Sequence, residues 1–182
     1  MKISIIGCGR WGSFLAWYLS SRLGHEVLVQ GREGSASFSQ LRETRKNEYV
    51  ELPESVGFTA SLAEAMEFSD TVVVSINAQG FPALLSDIRA LYTGGAVSGR
   101  LNSKTFILCM KGLLEGSGRR LSEELHCTLG EDVGCIAWVG PGHPQDFCAG
   151  IPNCMILASD NVSLAAKYSE LFSSELIRLY FS

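Results

Sequence analysis

The stretch KISIIGCGRWGSFLA, residues 2–16, decides how the rest of the chain is read. Residues 2–6 form a short apolar run of strand character. Gly7, Gly9 and Gly12 follow at the spacing G-x-G-x-x-G, and Leu15, Leu19 and Leu23 then recur on one face of a helix predicted over 10–23. Strand, glycine turn and helix in that order give the spacing its meaning. Gly7 permits the tight turn, Gly9 lets a pyrophosphate reach the backbone with no Cβ in its way, and Gly12 lets the helix lie close to the sheet. The unpaired N–H groups and partial positive charge of the helix N-terminus complete an anion site. The turn therefore points to a dinucleotide.

Bulk properties narrow the class. The chain has 182 residues, 46% of them hydrophobic, and a net charge of −4 with both signs interspersed. That supports one sizeable core and gives no basic face for nucleic acid. No apolar run approaches the length of a membrane span, and the start has no signal-peptide layout. Cysteines stand at 8, 109, 127, 135, 148 and 154 with no C-x-x-C pair, which argues against a zinc site and against a disulfide framework. Reduced thiols in a cytoplasmic protein are the expectation, with no metal.

Outward from the glycine turn, strands and helices alternate. Strands are predicted at 25–30, 71–76, 105–110, 134–140, 153–159 and 176–182, with a short extended piece at 55–60. Helices are predicted at 61–66, 79–92, 117–129 and 162–173, with a weakly helical polar stretch at 34–46. Ser61 and Glu64 read as a capping box. Gly24 reads as the residue ending the first helix. The expected fold is one domain over 1–182, a doubly wound α/β Rossmann-type, mainly parallel sheet with helices on both faces and additional strands at the C-terminal end. The strand at 176–182 either joins this sheet or leads away from it.

The second strand ends in VLVQGRE. Gln30 stands where an NAD site usually has a carboxylate, and Arg32 follows. A missing carboxylate removes repulsion of a 2′-phosphate, and a guanidinium can pair with it or stack on adenine. NADP is thus slightly favoured over NAD, with Glu33 close by and a solvated loop arginine as the alternative for Arg32. Three later strands deliver Gln79 and Gly80, then Lys111 and Gly112, then Gly140, Pro141 and Gly142, to the carboxyl rim that holds the glycine turn. His143 reads as a cap of the next helix or as an acid/base, Asp146 as a first-turn acid, and Cys8 as a reactive thiol or simply a small residue.

These residues resemble the N-terminal domain of NAD(P)-dependent glycerol-3-phosphate dehydrogenase. GCGRWGSFLA is similar to that family's G-x-G-x-W-G-x-x-x-A start, NEYVELP (47–53) to its N-x-x-Y-L-P segment, and CMKGLLEGSGRRLSEEL to its K-G-L/I-E stretch. GPGHPQDFCAGIPN resembles its G-P-S/T-x-A-x-E-V-A-x-G-x-P segment. The resemblance implies interconversion of dihydroxyacetone phosphate and glycerol 3-phosphate by hydride transfer. It places Arg10, Trp11, Arg32 and Lys111 along the cofactor and Lys111 and Gly140 against a small phosphate substrate; with the turn glycines and the rim residues, the expected cofactor contacts are Gly7, Gly9, Arg10, Trp11, Gly12, Arg32, Gln79, Lys111 and Pro144, and the expected substrate contacts Lys111, Gly140 and Gly142.

The chain departs from the family pattern at Gly142, where Ser or Thr is usual, and at Pro144, where Ala is usual. Asn77 and Pro82 replace a Pro-x-x-x-x-Arg pattern. The family's catalytic lysine lies in a helical C-terminal domain that is absent from this chain, so no catalytic residue is assigned within 1–182. A fragment and a naturally short relative both fit that reading. The expectations are cofactor binding with little or no turnover, and an exposed apolar patch open to self-association or to the C-terminal domain. The rivals are a non-catalytic NADP(H)-binding module and a dehydrogenase of another small substrate.

Overall fold

The β-branched runs assemble into one eight-stranded sheet in a computed structural model that describes residues 1–182. Six strands run parallel: β1 (Lys2–Ile6), β2 (Glu26–Gln30), β3 (Gly57–Thr59), β4 (Thr71–Val74), β5 (Thr105–Leu108) and β6 (Gly134–Val139). β7 (Asn153–Ala158) turns antiparallel to β6, and β8 (Ile177–Phe181) lies parallel to β7. The order is β3-β2-β1-β4-β5-β6-β7-β8. The chain thus winds outward from β1 in both directions, and β1 and β4 flank the switch point where such sheets hold ligands. The final strand joins this sheet.

The helices are α1 (Arg10–Trp17), α2 (Ala36–Thr44), α3 (Leu62–Phe68), α4 (Phe81–Thr93), α5 (Leu121–Leu129), α6 (Pro144–Cys148) and α7 (Val162–Phe172). Strand alternation divides the core between the two faces. Ile3, Ile5, Val73, Ile107 and Ile136 pack with Phe14, Tyr18, Phe147 and Phe172 in one cluster. Val72, Val74, Phe106 and Leu108 pack with Phe81, Leu85, Leu121 and Leu125 in the other.

Several boundaries differ from the sequence expectation. The helix expected over 10–23 is α-helical only to Trp17 and continues as a π-helical turn, Tyr18–Arg22. There the Ser20 hydroxyl donates to Ala16 C=O at 2.6 Å, and the Tyr18 hydroxyl lies 2.7 Å from Phe172 C=O and 2.8 Å from Ser174 Oγ. Local and long-range side-chain bonds thus replace regular winding. Gly24 does end that segment, at φ 69°. The helix expected from 117 starts at Leu121, because Leu113 and Arg120 pair across a hairpin that Gly116 and Gly118 close with positive φ. The capping box is half formed. Ser61 Oγ accepts from Glu64 N–H, but the Glu64 carboxylate accepts from Thr59 Oγ1, which in turn accepts Ser61 N–H.

The edge of the outer strand β8 is partly covered by serines. Leu179 N–H donates to Ser173 Oγ at 3.0 Å and its C=O accepts from Ser169 Oγ at 2.8 Å. Ile177 N–H donates to Ser174 Oγ at 3.2 Å, and Ser174 N–H donates back to Ile177 C=O at 2.9 Å. Serines from α7 and its exit turn thus cover the edge at Ile177 and Leu179. Across β7 and β8, Met155, Leu157, Ile177 and Leu179 are buried. On the opposite face Ile156 and Tyr180 are register partners and remain 42% and 54% exposed.

Candidate functional site

The glycine turn behaves as its spacing predicts. A Cβ on Gly7, at φ 103°, would stand 2.2 Å from Ser75 C=O, and one on Gly12 would stand 1.9 Å from Gly7 C=O. A Cβ on Gly9 would meet nothing within 4 Å. Two of the glycines are therefore required by the protein itself, and the third leaves open space where a ligand's phosphates would approach. The first turn of α1 has no side-chain cap and no acidic residue. Its free N–H groups and the opening at Gly9 fit the diphosphate of a dinucleotide.

Five strand ends meet at this rim, from β2, β1, β4, β5 and β6 in spatial order. They carry Arg32, the glycine turn, Gln79, Lys111 and Gly140. Arg32 and Lys111 are exposed and make no ion pair. Arg10 also lacks one, and its guanidinium lies 5.1 Å from the Tyr49 ring centre. Trp11 is half-buried and meets Phe14 edge-on at 5.7 Å. Unneutralised cations beside an uncapped helix start make the rim attractive to anions.

The end of β2 is more specific than the sequence implied. Gln30 is buried, and its amide donates to Gly31 C=O at 3.2 Å and Ala60 C=O at 3.3 Å. It ties the sheet edge together, leaving Arg32 and Glu33 as the exposed charges at this strand end. Cys8 is buried, and burial raises its thiol pKa against the smaller opposing effects of Ser37, its own backbone N–H and Arg32. That favours the small-residue reading over a reactive thiolate.

Beyond β5, Lys111 opens a loop that Gln79 grips: the Gln79 amide donates to Leu113 C=O and accepts from Glu115 N–H. Beyond β6, Gly140 sits at φ 153°, with Met155 3.0 Å from where its Cβ would stand. Gly142 is buried, and the Phe147 ring occupies the place of its missing Cβ, 2.3 Å from that position. Pro144 is buried in the first turn of α6, where a missing N–H costs nothing, and Asp146 is in that turn. His143 stands at the N-cap position with no side-chain cap bond.

The register adds a wall that the sequence did not announce. Val139 pairs with Ile156, so residues 153–155 of β7 continue past the last residue of β6. β8 follows them, and the wall rises about 10 Å above the rim beside Gly140. Below it, a cavity of about 570 Å³ runs from Lys111 and Gly112 past Arg120 and Ser122 to Ala158 and Ser182.

Sequence reasoning assigned no individual role to the residues that brace α1. Asn47 Nδ2 donates to Ser13 Oγ at 2.8 Å, while Asn47 Oδ1 accepts from Tyr49 N–H and Val50 N–H at 2.9 Å each. This Asx turn sets Tyr49 beside Arg10. An Asn two residues before an aromatic, outside any helix, was the available signal.

Comparison with known proteins agrees with this geometry. Residues 2–165 match the family model described as NAD-dependent glycerol-3-phosphate dehydrogenase N-terminus. The chain is 29% identical to the glycerol-3-phosphate dehydrogenase [NAD(P)+] of Thermoanaerobacter sp. (strain X514) over 99% of its own length and 52% of that protein's. It is 27% identical to the enzyme of the same name from Nitrosomonas eutropha over 100% and 53%. The chain thus spans about half the length of the curated relatives it matches. Among solved structures it is similar to glycerol-3-phosphate dehydrogenase from Coxiella burnetii, with a TM-score of 0.85 and 23% identity over 100% of this chain and 53% of that one. It is also similar in fold to a Plasmodium falciparum pyrroline carboxylate reductase with NADP bound, at a TM-score of 0.66 and 18% identity over 100% and 57%.

Proposed function

The chain belongs to the family of the NAD-dependent glycerol-3-phosphate dehydrogenase N-terminus, and from that premise we propose that it is the NAD(P)-binding half of an oxidoreductase interconverting dihydroxyacetone phosphate and glycerol 3-phosphate. The observation that carries the reading is the glycine turn at the β1–β4 switch point, with open space at Gly9 and three unpaired cations, Arg10, Arg32 and Lys111, on the same rim. In this reading Gly7, Gly9, Gly12, Arg10 and Trp11 hold the dinucleotide diphosphate, and Pro144 lies against its nicotinamide end. Arg32 takes a 2′-phosphate, which makes NADP the favoured cofactor over NAD. The bound cofactor supplies the hydride, or accepts it. Lys111 and Gly140 meet the substrate phosphate, with Gly142 behind them.

No residue of this chain is assigned the proton transfer that must accompany the hydride. We assign that step to the half of the relatives' length that the chain does not span, and give that half the uncovered β7–β8 face as its seat. Ile156, Tyr180 and the cavity beside Lys111 support that placement. A cytoplasmic setting suits six thiols with no disulfide among them. No helix is long and apolar enough to cross a membrane.

The test is a fluorescence titration of the chain with NADPH and then NADH, read from Trp11, with Trp11→Phe as the control. Saturable binding, tighter for NADPH and lost in that preference with Arg32→Ala, is the expected result. Absence of binding by either nucleotide overturns the reading. A second reading, a cofactor-binding module without catalysis, is favoured by one observation: the Phe147 ring fills the place where the family's Ser or Thr at position 142 would put its Cβ. Robust dihydroxyacetone phosphate reduction by a chain joined to the helical half of a relative would exclude it.

A further inference from the structure

Lys111 has no ion pair and no hydrogen bond to its side chain, so its place on the rim is set by the loop that bears it. That loop, from Met110 to Arg120, is anchored by Met110 and Leu114, both buried in the second core cluster. Within the loop, Leu114 N–H donates to Arg119 C=O at 3.0 Å and Gly118 N–H donates to Leu114 C=O at 2.9 Å. Gly112, directly after the lysine, has φ 109° and no side chain to hold it. Between Lys111 and Gly118, hydrogen bonds to the rest of the protein come from one side chain. Gln79 Nε2 donates to Leu113 C=O at 3.2 Å, and Glu115 N–H donates to Gln79 Oε1 at 3.0 Å.

A carboxamide is suited to this. It offers a donor and an acceptor side by side, as a neighbouring strand would offer its N–H and C=O. Gln79 is itself fixed, because its N–H donates to Asn77 Oδ1 at 2.9 Å in the 3-10 turn Ala78–Gly80. A glutamate would set a second acceptor against Leu113 C=O, and an asparagine would fall one methylene short.

We propose that Gln79 is a positioning residue for Lys111: it contributes to ligand binding by clamping the 111–118 loop, and not by touching the cofactor. The task given to Lys111 rests on the function proposed above, whereas the clamp can be read by itself. Gln79 is exposed and lies outside both core clusters, so its variants fold.

The experiment compares the full chain with Gln79→Met, Lys111→Ala and the double variant. Amide hydrogen exchange and NADPH affinity are measured on each. Loss of the clamp should speed exchange at Glu115 at least about tenfold, with the amides of β4 and β5 unchanged. Lys111→Ala should weaken NADPH about tenfold and Gln79→Met about fivefold, with the double variant no weaker than Lys111→Ala alone. Losses that multiply to about fiftyfold would mean that Gln79 meets the ligand independently, and would overturn the proposal. Unchanged protection at Glu115 would also overturn it. If the unaltered chain binds no NADPH, the cofactor reading falls and the exchange result alone decides the clamp.

Discussion

Gly9 and Gly12 stand three positions apart and should fail in opposite ways when a methyl group is added. Gly9→Ala meets open space, at φ −70°, so its melting temperature should stay within about 1–2 °C while NADPH binding drops at least about tenfold. Gly12→Ala drives a methyl into Gly7 C=O and should cost about 3 kcal/mol of stability, measured by urea unfolding. Gly142→Ser, which would restore the family's residue, should also destabilise, by about 2 kcal/mol, because the Phe147 ring stands in its place. His25 gives a pH signature. Its pKa is lowered, by burial first and then by the nearby N-terminal charge, with the Leu171 backbone opposing. The unfolded chain therefore binds the proton more readily than the folded one. Stability should fall as pH drops from about 6.5 through the lowered folded value, and His25→Gln should flatten that decline in a melting series from pH 7 to pH 5. Much of this scale was legible in the sequence, since glycine spacing maps directly onto steric need. Gln79 was legible only as a rim residue. Its partners lie 34 and 36 positions away, and no local pattern encodes them.

At the scale of single elements, β8 is the instructive case. Its sequence, IRLYF, reads as an aggregation-prone edge, yet the serines of α7 and its exit turn meet both polar groups of Leu179 and of Ile177. The pair Ser169→Ala and Ser173→Ala should lower stability by about 1 kcal/mol per bond and raise light scattering on mild heating, while Ser163→Ala, outside this cover, should do neither. Most strands and the first helix followed from hydrophobic pattern, whereas α2 was a weakly helical polar stretch, α3 rested on its capping residues and α6 was implied only by a cap and a first-turn acid. Boundaries did not follow, where tertiary bonds outweighed the pattern. The π turn in the first helix answers to Ser20 and to a tyrosine reaching Phe172, and the late start of α5 answers to a hairpin closed by two glycines. A period detects a face and is blind to a hydroxyl with a distant partner.

The whole molecule is a sheet clad unevenly. Helices cover both faces from β3 to β6, but only α7 covers β7 and β8, and Ile156 with Tyr180 marks the uncovered side. Sedimentation should show concentration-dependent self-association that Tyr180→Lys reduces, with NADPH affinity unchanged because Tyr180 stands on β8, two strands beyond β6 and further still from the glycine turn. The parallel order was legible from alternating elements, whereas the reversal at β7 and the wall it raises were not, because register is a property of pairs of strands. Another feature of the fold governs how the molecule comes into being. Tyr18 sits at the end of the first helix, yet its hydroxyl partners are at Phe172 and Ser174, so helix α1 cannot finish packing until the chain has been made as far as residue 174. At about 5–20 residues per second, the aromatic side of that helix waits about 8–30 s on the ribosome with its seat not yet synthesised. Helix α1 thus settles only after the far end of α7 is available to it. A nascent chain halted before residue 172 has emerged should be recognised by holdase chaperones, and emergence of residues 172–174 should free it.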